Sequence, residues 1–298
     1  MKEIVLLDGS IGQEIVKRSG DRATPLWSTS VMIEKPEIVG EVHDAYFQVG
    51  ATVATTNTYA VHRDRLRPAE IEAHYEELLN KAVNQAVAAR DKFGSGQVAA
   101  SLGPLMASYR PDICPPAEEA QHAYAEQVEL VKDRVDLFLI ETASSVDQAR
   151  GALMGCANAG KPVWLAVTVA DEDGTRLRSG EALSDLAALV ADLNPDAVLV
   201  NCSRPEVIAE ALDIIAGFGK PFGAYANGFT RISEGFLGDR PTVDALEQRK
   251  DLDPDAYADF AMGWVEQGAT IVGGCCEVGP DHIAELARRL TAAEYKIV

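Results

Sequence analysis

Eight times along the chain, a short apolar run is followed by a loop of small or polar residues and then by a helical segment. The brevity and β-branched content of the runs are typical of buried parallel strands. The predicted strands are residues 4–7, 51–54, 98–100, 137–140, 163–169, 197–200, 222–226 and 270–272. The predicted helices lie near residues 36–49, 68–93, 116–134, 145–159, 181–193, 206–218, 254–267 and 280–293. Ser145 is expected to cap the fourth of these helices.

Eight βα units in 298 residues, with no linker between them, predict a single-domain (β/α)8 TIM barrel that spans residues 1–298. Such a barrel usually needs about 250 residues. The alternative is a doubly wound open sheet, which is disfavoured because no convincing Gly-rich nucleotide-binding turn follows a strand. In a barrel, the active site lies in the loops that follow the strands, so the residues directly after each apolar run are the functional candidates.

The charge of the chain excludes some classes of partner. It has 46 acidic and 27 basic residues, a net charge of −19, which argues against binding nucleic acid or an anionic membrane surface. Neutral or cationic small ligands are not repelled. The amino-terminal end has only four consecutive apolar residues, too few for a signal peptide, and no run is long enough to span a membrane. Five cysteines, an odd number, do not suggest a disulfide framework, so a cytoplasmic location is expected.

Three of the cysteines follow predicted strands. Cys202 comes after the sixth strand, and Cys275 and Cys276 come after the eighth. Zinc prefers thiolate and imidazole ligands, so three thiolates at one barrel mouth predict a zinc site. Adjacent residues of a strand face opposite ways, so Cys275 and Cys276 can both reach one ion only if they lie in a turn. Gly273 and Gly274, which precede them, offer the backbone freedom for such a turn. The alternative is that these are buried structural cysteines.

Three further ionisable residues need interpretation. His282 lies six residues after the cysteine pair, inside a predicted helix. It is expected to cap that helix or to lie on its surface, and not to bind metal. Asp8 and Glu141 follow the first and fourth strands. They are candidates for a general acid and base, or for holding a substrate ammonium group. Asp8 has the further alternative of stabilising its own turn and the next helix.

Four segments carry a family resemblance: Asp8-Gly9-Ser10-Ile11-Gly12, Thr56-Asn57-Thr58-Tyr59, Asn201-Cys202 and Gly273-Gly274-Cys275-Cys276. Across essentially its whole length the chain resembles the homocysteine S-methyltransferase domain family. That family includes the betaine–homocysteine and S-methylmethionine–homocysteine methyltransferases and the homocysteine module of cobalamin-dependent methionine synthase. The resemblance implies a (β/α)8 barrel in which Cys202, Cys275 and Cys276 hold zinc.

The resemblance also implies the reaction and the substrate contacts. A methyl group passes from an activated donor to the zinc-bound homocysteine thiolate to make methionine, with no catalytic residue beyond the zinc site. Asp8 and Glu141 match positions that hold the amino group, and Gly9 and Thr58 match positions near the carboxylate. The substrate-binding set is Asp8, Gly9, Asn57, Thr58, Glu141 and Asn227.

Asn227 and two departures from the family pattern lie near the expected metal site. Asn227 matches a family segment beside the metal, so its amide oxygen or a water molecule is expected at the vacant zinc position; alternatively, Asn227 only bonds its own turn. Glu277 stands where the family usually has glycine, and Ala226 stands where proline is common. Both differences lie where the methyl donor approaches.

The donor is not determined by the residues. The chain has no room for folate and cobalamin domains, and it lacks the carboxyl-terminal extension typical of betaine enzymes, which favours S-methylmethionine or S-adenosylmethionine over betaine. A methylcorrinoid protein acting in trans is the alternative, making this chain a subunit of a split methionine synthase. Trp27, Tyr59 and Tyr109 are candidate contacts for a cationic donor. Two other possibilities are a non-catalytic zinc- and thiol-binding barrel and a metal-free lyase.

Overall fold

The computed structural model describes residues 2–20, 26–238 and 246–298. The strands are β1 (Glu3–Leu6), β2 (Val53–Thr55), β3 (Gln97–Leu102), β4 (Leu137–Ala143), β5 (Val163–Val167), β6 (Val169–Ala170), β7 (Asp173–Leu177), β8 (Ala197–Asn201), β9 (Phe222–Tyr225), β10 (Ile271–Val272) and β11 (Lys296–Ile297). The α-helices are α1 (Ile11–Ser19), α2 (Ser28–Glu34), α3 (Pro36–Gln48), α4 (Arg63–Leu66), α5 (Tyr75–Phe93), α6 (Ala117–Val131), α7 (Val146–Gly155), α8 (Leu186–Leu193), α9 (Pro205–Ile215), α10 (Pro254–Glu266) and α11 (Pro280–Ala292).

The main sheet is parallel and curls until its ends meet. Its strand order is β11-β1-β10-β9-β8-β5-β4-β3-β2. The ends join where Leu7 bridges to Val53 and the Thr52 N–H donates to the Leu6 carbonyl at 2.7 Å. The eight strands β1–β5 and β8–β10, without β6 and β7, therefore surround one interior, and the predicted (β/α)8 barrel is confirmed. Strand β11 pairs only with the amino-terminal end of β1.

Each predicted strand overlaps an observed one, but several predicted boundaries are wrong. The predicted strand 163–169 breaks at Thr168, after which β6 and β7 form an antiparallel hairpin. Helix α5 begins at Tyr75, not near residue 68, because Glu70 adopts a left-handed conformation with φ of 61° that no helix accommodates. Helices α1 and α2 were not among the predicted eight, since their short apolar faces lie within polar sequence. The predicted cap is confirmed: Ser145 Oγ accepts from the Gln148 N–H.

Alternation along the strands decides which side chains face the barrel interior. In β4, Leu137 and Leu139 pack inside the barrel, while Phe138 and Ile140 pack against the helices. Successive strand residues point to opposite faces, so the inward row of β4 continues from Leu139 to Glu141. The interior is therefore apolar at its base and carries polar side chains at the carboxyl ends of the strands. This polar layer lines the mouth of the barrel.

Candidate metal and substrate site

A cavity opens at the carboxyl ends of the strands. Most of the predicted site residues line it: Asp8, Gly9, Asn57, Glu141, Cys202, Cys275 and Cys276. Thr58 and Asn227 lie beside the cavity and do not contribute to its wall. The Thr58 hydroxyl donates to the Ser101 carbonyl at 2.7 Å, inside the loop that follows β2. The structure thus brings together residues from the two ends of the sequence and from its middle.

The three strand-end cysteines form one cluster. Their sulfur atoms all lie within 4.8 Å of one another, and they are the group able to hold a metal ion in the part of the chain that is described. The sulfurs of Cys202 and Cys276 are 3.9 Å apart. Two thiolates on one tetrahedral zinc, each at about 2.3 Å, lie about 3.8 Å apart, so this pair fits the ion. Cys202 and Cys275 are joined in a disulfide, and only their reduced form can bind zinc.

The backbone before the cysteine pair corrects the predicted role of its glycines. Neither Gly273 nor Gly274 adopts a left-handed φ, so backbone freedom is not what they supply. A Cβ at Gly273 would lie 2.5 Å from the Leu7 Cβ, and one at Gly274 would lie 2.2 Å from a methyl carbon of Val278. The glycines therefore allow close packing of β10 against the first loop. The left-handed turn occurs at Glu277, with φ of 64°.

The protonation state of the cysteines depends on the metal. The pKa of the Cys276 thiol is raised to about 12, first by burial and then by the negative charges of Glu277 and Glu141. Without a metal this thiol is protonated at neutral pH. Because the metal ligand is the thiolate, zinc binding must displace its proton.

Asp8 and Glu141 are buried carboxylates, and neither has a cationic partner within the described residues. Asp8 accepts hydrogen bonds from the Thr55 N–H at 2.6 Å and from the Thr55 hydroxyl at 2.8 Å. Glu141 accepts from the Tyr225 hydroxyl at 3.0 Å and from the Ser101 hydroxyl. Among the described residues, no Lys or Arg forms an ion pair with either carboxylate.

Burial explains the electrostatics of this pair. It raises the pKa of Asp8 well above its usual value, and the charge of Glu141 raises it further. Burial also raises the pKa of Glu141, partly offset by its two hydrogen bonds. A buried anion without a partner is costly, and a bound cation would remove that cost. The alternative role of Asp8 at the start of α1 is not observed, because its oxygens are bonded to Thr55 and the residue preceding α1 is Ser10.

Aromatic rings form another part of the cavity wall. The predicted Trp27, Tyr59 and Tyr109 all line the cavity. Trp27 stacks on Tyr59 with the ring centroids 6.0 Å apart. Phe236, which the sequence analysis missed, packs against both Trp27 and Tyr109 at about 6 Å. The guanidinium of Arg178 lies 4.7 Å from the centroid of the Tyr109 ring.

Ser101 and Tyr225, the donors to Glu141, were also missed by the sequence analysis. They come from β3 and β9, and both are buried. The sequence held one signal for them, the alternation of inward-facing residues along each strand. Ser101 lies two residues after the inward-facing Ala99, and Tyr225 is itself inward-facing. Their pairing with Glu141 follows only from the closed barrel.

Two residues near the metal ligands have structural partners. His282 Nδ1 accepts from the Gly279 N–H at 3.3 Å at the start of α11, so the prediction of a capping histidine is confirmed. Asn227 Oδ1 accepts from the Phe229 N–H at 3.2 Å, as an asparagine bonding its own turn does. Its Nδ2 atom is buried and has no hydrogen-bond partner in the described part of the chain.

Glu277 is joined to α1. Its carboxylate accepts from the Gln13 side-chain amide, and its N–H donates to the Gln13 Oε1 at 2.7 Å. This reciprocal pair connects the turn that carries Cys276 to the first helix. The Glu277 side chain is thus held by Gln13 and does not extend freely toward the cavity.

Known proteins resemble this chain in both sequence and fold. A family model described as homocysteine S-methyltransferase matches residues 5–290. The homocysteine S-methyltransferase of Escherichia coli K12 is 29% identical over 306 residues, covering 97% of this chain and 96% of the relative. The crystal structures of the homocysteine methyltransferase MmuM from Escherichia coli, in metallated and oxidized forms, superpose with TM-scores of 0.80 and 0.81. In both cases the identity is 28% and 96% of each chain is covered. The chain belongs to the homocysteine S-methyltransferase family.

Proposed function

We propose that this enzyme methylates homocysteine from a small cationic donor, with zinc held by Cys202, Cys275 and Cys276. The family is zinc-dependent, and the three clustered sulfurs suit that metal. One observation carries the proposal: the sulfur cluster and two buried carboxylates without a cation line the same cavity. An amino acid with a thiol side chain carries the two complementary groups, an ammonium and a sulfur.

The ammonium of homocysteine is assigned to Asp8 and Glu141, which would gain a cationic partner. Charge-assisted hydrogen bonds of this kind are stronger than neutral ones. The carboxylate is assigned to the first and second loops, at the backbone of Gly9 and the side-chain amide of Asn57. Thr58 supports this second loop through its bond to Ser101, and Asn227 supports the loop after β9.

When held by this cluster, zinc would lower the pKa of a thiol ligand, so that homocysteine would react as a thiolate. The protein then needs no dedicated base, and the thiol proton passes to solvent. A sulfur–methyl bond forms as the bond between methyl and the donor heteroatom breaks, and that electron pair stays on the donor, which becomes neutral. The role of the side chains is to orient homocysteine for an in-line transfer.

The donor is assigned to the aromatic part of the cavity. Trp27, Tyr59 and Tyr109 line that part of the cavity, and aromatic rings attract sulfonium and quaternary ammonium groups. The net charge of −19 favours a cation as well. S-methylmethionine, S-adenosylmethionine and betaine all carry such a group. We place the two sulfonium compounds first because the neutral thioether that they release is a better leaving group than the tertiary amine released by betaine.

The test is methionine formation by reduced, zinc-loaded protein given homocysteine and each donor in turn. We expect methionine from at least one sulfonium donor, and none from Cys276→Ala. Cys156→Ala is the matched control, because Cys156 is a buried cysteine outside the cavity. Homocysteine binding without methionine from any donor would instead indicate a thiol-binding barrel. Methionine formed only with a methylcorrinoid protein would indicate a subunit of a split methionine synthase.

The cysteine cluster also indicates the cellular compartment. We propose a cytoplasmic enzyme, because a reducing compartment keeps Cys202 and Cys275 as thiols available to zinc. In the described part of the chain, no helix has the length and apolar character needed to cross a membrane.

A further inference from the structure

A bulge in β4 sets the direction of Glu141. The pairing of β4 with β5 changes register between Ile140 and Ala143, so the bulge contains Glu141 and Thr142. A bulge leaves a residue unpaired in the ladder and re-aims side chains. Thr142 has a φ of 59°, in the left-handed region that β-branched residues rarely adopt. Such a conformation persists only where neighbouring groups hold it in place.

The group that holds it is the side chain of Asn201, the residue before the metal ligand Cys202. Asn201 Oδ1 accepts from the Thr142 N–H at 2.9 Å, and Asn201 Nδ2 donates to Thr142 Oγ1 at 3.0 Å. Both residues are fully buried. The Asn201 amide thus replaces the missing ladder partner of the bulge, and water cannot substitute for it.

The two ends of this contact belong to different parts of the site. Thr142 directly follows Glu141 on β4, and Asn201 directly precedes Cys202 on β8. These strands are not neighbours, since β5 lies between them. Cys202 also adopts a left-handed conformation, with φ of 45°. The contact therefore joins two constrained strand ends, one carrying a carboxylate and the other a metal-binding sulfur.

We propose that Asn201 and Thr142 are positioning residues that fix the separation and direction between the Glu141 carboxylate and the sulfur cluster. This inference rests on the proposed function, in which one ligand places its ammonium at Glu141 and its sulfur at the metal. A short saturated chain joins the two groups of homocysteine. The ammonium and the sulfur can bind at the same time only if the Glu141 subsite and the sulfur cluster keep a fixed spacing. A small displacement of either subsite would lose the contact to one of the two groups.

The experiment compares two thiols that differ only in the ammonium group. Homocysteine and 4-sulfanylbutanoate, which lacks the amino group, are titrated into zinc-loaded protein by calorimetry. The test variant is Thr142→Val, which keeps the side-chain shape and removes the hydroxyl that Asn201 contacts. The matched control is Thr142→Ser, which keeps the hydroxyl. Thr142→Ala replaces the test variant if valine prevents folding.

In the test variant, we expect the dissociation constant of homocysteine to rise about tenfold. That of 4-sulfanylbutanoate should stay within about twofold, zinc content should be unchanged, and Thr142→Ser should behave as wild type. A purely structural role lowers the melting temperature without changing the ratio of the two constants, and that result overturns the inference. Equal weakening of both thiols overturns it too. A wild-type protein that binds both thiols equally overturns the proposed function itself.

Discussion

Replacing Glu141 with glutamine should separate substrate binding from stability. The two groups that donate to Glu141 are hydroxyls of Ser101 and Tyr225, which can rotate and also accept, so the amide fits without an unpaired donor. The variant loses only the negative charge. A lost charge-assisted hydrogen bond costs about 1.5–3 kcal/mol, so homocysteine should bind about 10- to 150-fold more weakly.

The stability of the ligand-free protein should change in the opposite direction. Burial raises the pKa of Glu141, so the ionised carboxylate disfavours the folded state above its ordinary pKa of 4.5. The penalty accumulates as the pH rises from 4.5 through the raised pKa, and a neutral glutamine does not incur it. Glu141→Gln should therefore melt at a higher temperature at pH 7, and this advantage should vanish below about pH 4.5.

Calorimetric titration measures the homocysteine affinity, and thermal melting measures the stability. Elemental analysis checks that the variant keeps its zinc. Glu126→Gln is the control, because Glu126 pairs with Arg63 on the surface and should leave homocysteine affinity unchanged. Unchanged homocysteine affinity in both Glu141→Gln and Asp8→Asn, with full zinc content, would refute the assignment of the ammonium and favour an acid–base role for the pair.

Three other perturbations have defined outcomes. Reduced protein should bind one zinc per chain, and Cys276→Ala should lose that zinc. The variant should keep its circular dichroism, since the three cysteines lie in loops. Full zinc content of the variant by elemental analysis would contradict this expectation. Gly274→Ala should be strongly destabilised in chemical unfolding, because the new Cβ would lie 2.2 Å from Val278. His43 is fully buried, neither ring nitrogen has a hydrogen-bond partner among residues 2–20, 26–238 and 246–298, and burial lowers its pKa to about 4. Stability should therefore fall as the pH drops from about 6.5 to 4, by up to about 3 kcal/mol, and His43→Leu should remove that part of the pH dependence in denaturant titrations.

Local pattern was sufficient to predict the architecture. The eight apolar runs each became a barrel strand, because a run buried on both faces is recognisable from its own residues. The rule that barrel sites follow the strands then selected Asp8, Glu141 and the three cysteines, all of which line the cavity. Capping by Ser145 and by His282 was equally local, since each bonds within its own helix start.

Where local pattern failed, the deciding contact joins distant parts of the chain. Gly273 is required because a Cβ there would lie 2.5 Å from the Leu7 Cβ, a contact that no spacing in the sequence reveals. The break after Val167 depends on Thr168, whose N–H bonds back to the Ala143 carbonyl and whose hydroxyl bonds to the Cys202 carbonyl. These partners become neighbours only once the barrel has closed.

The sequence by itself thus determined the number of strands, the chemistry of the three clustered cysteines and the end of the barrel at which they meet. Only the tertiary structure decided how the carboxylates are held: Ser101 and Tyr225 against Glu141, and Asn201 against Thr142. The physical reason is that periodicity and residue type act along the chain. The direction of a buried side chain, by contrast, is set by hydrogen-bond partners that chain closure brings within 3 Å from strands far apart in sequence.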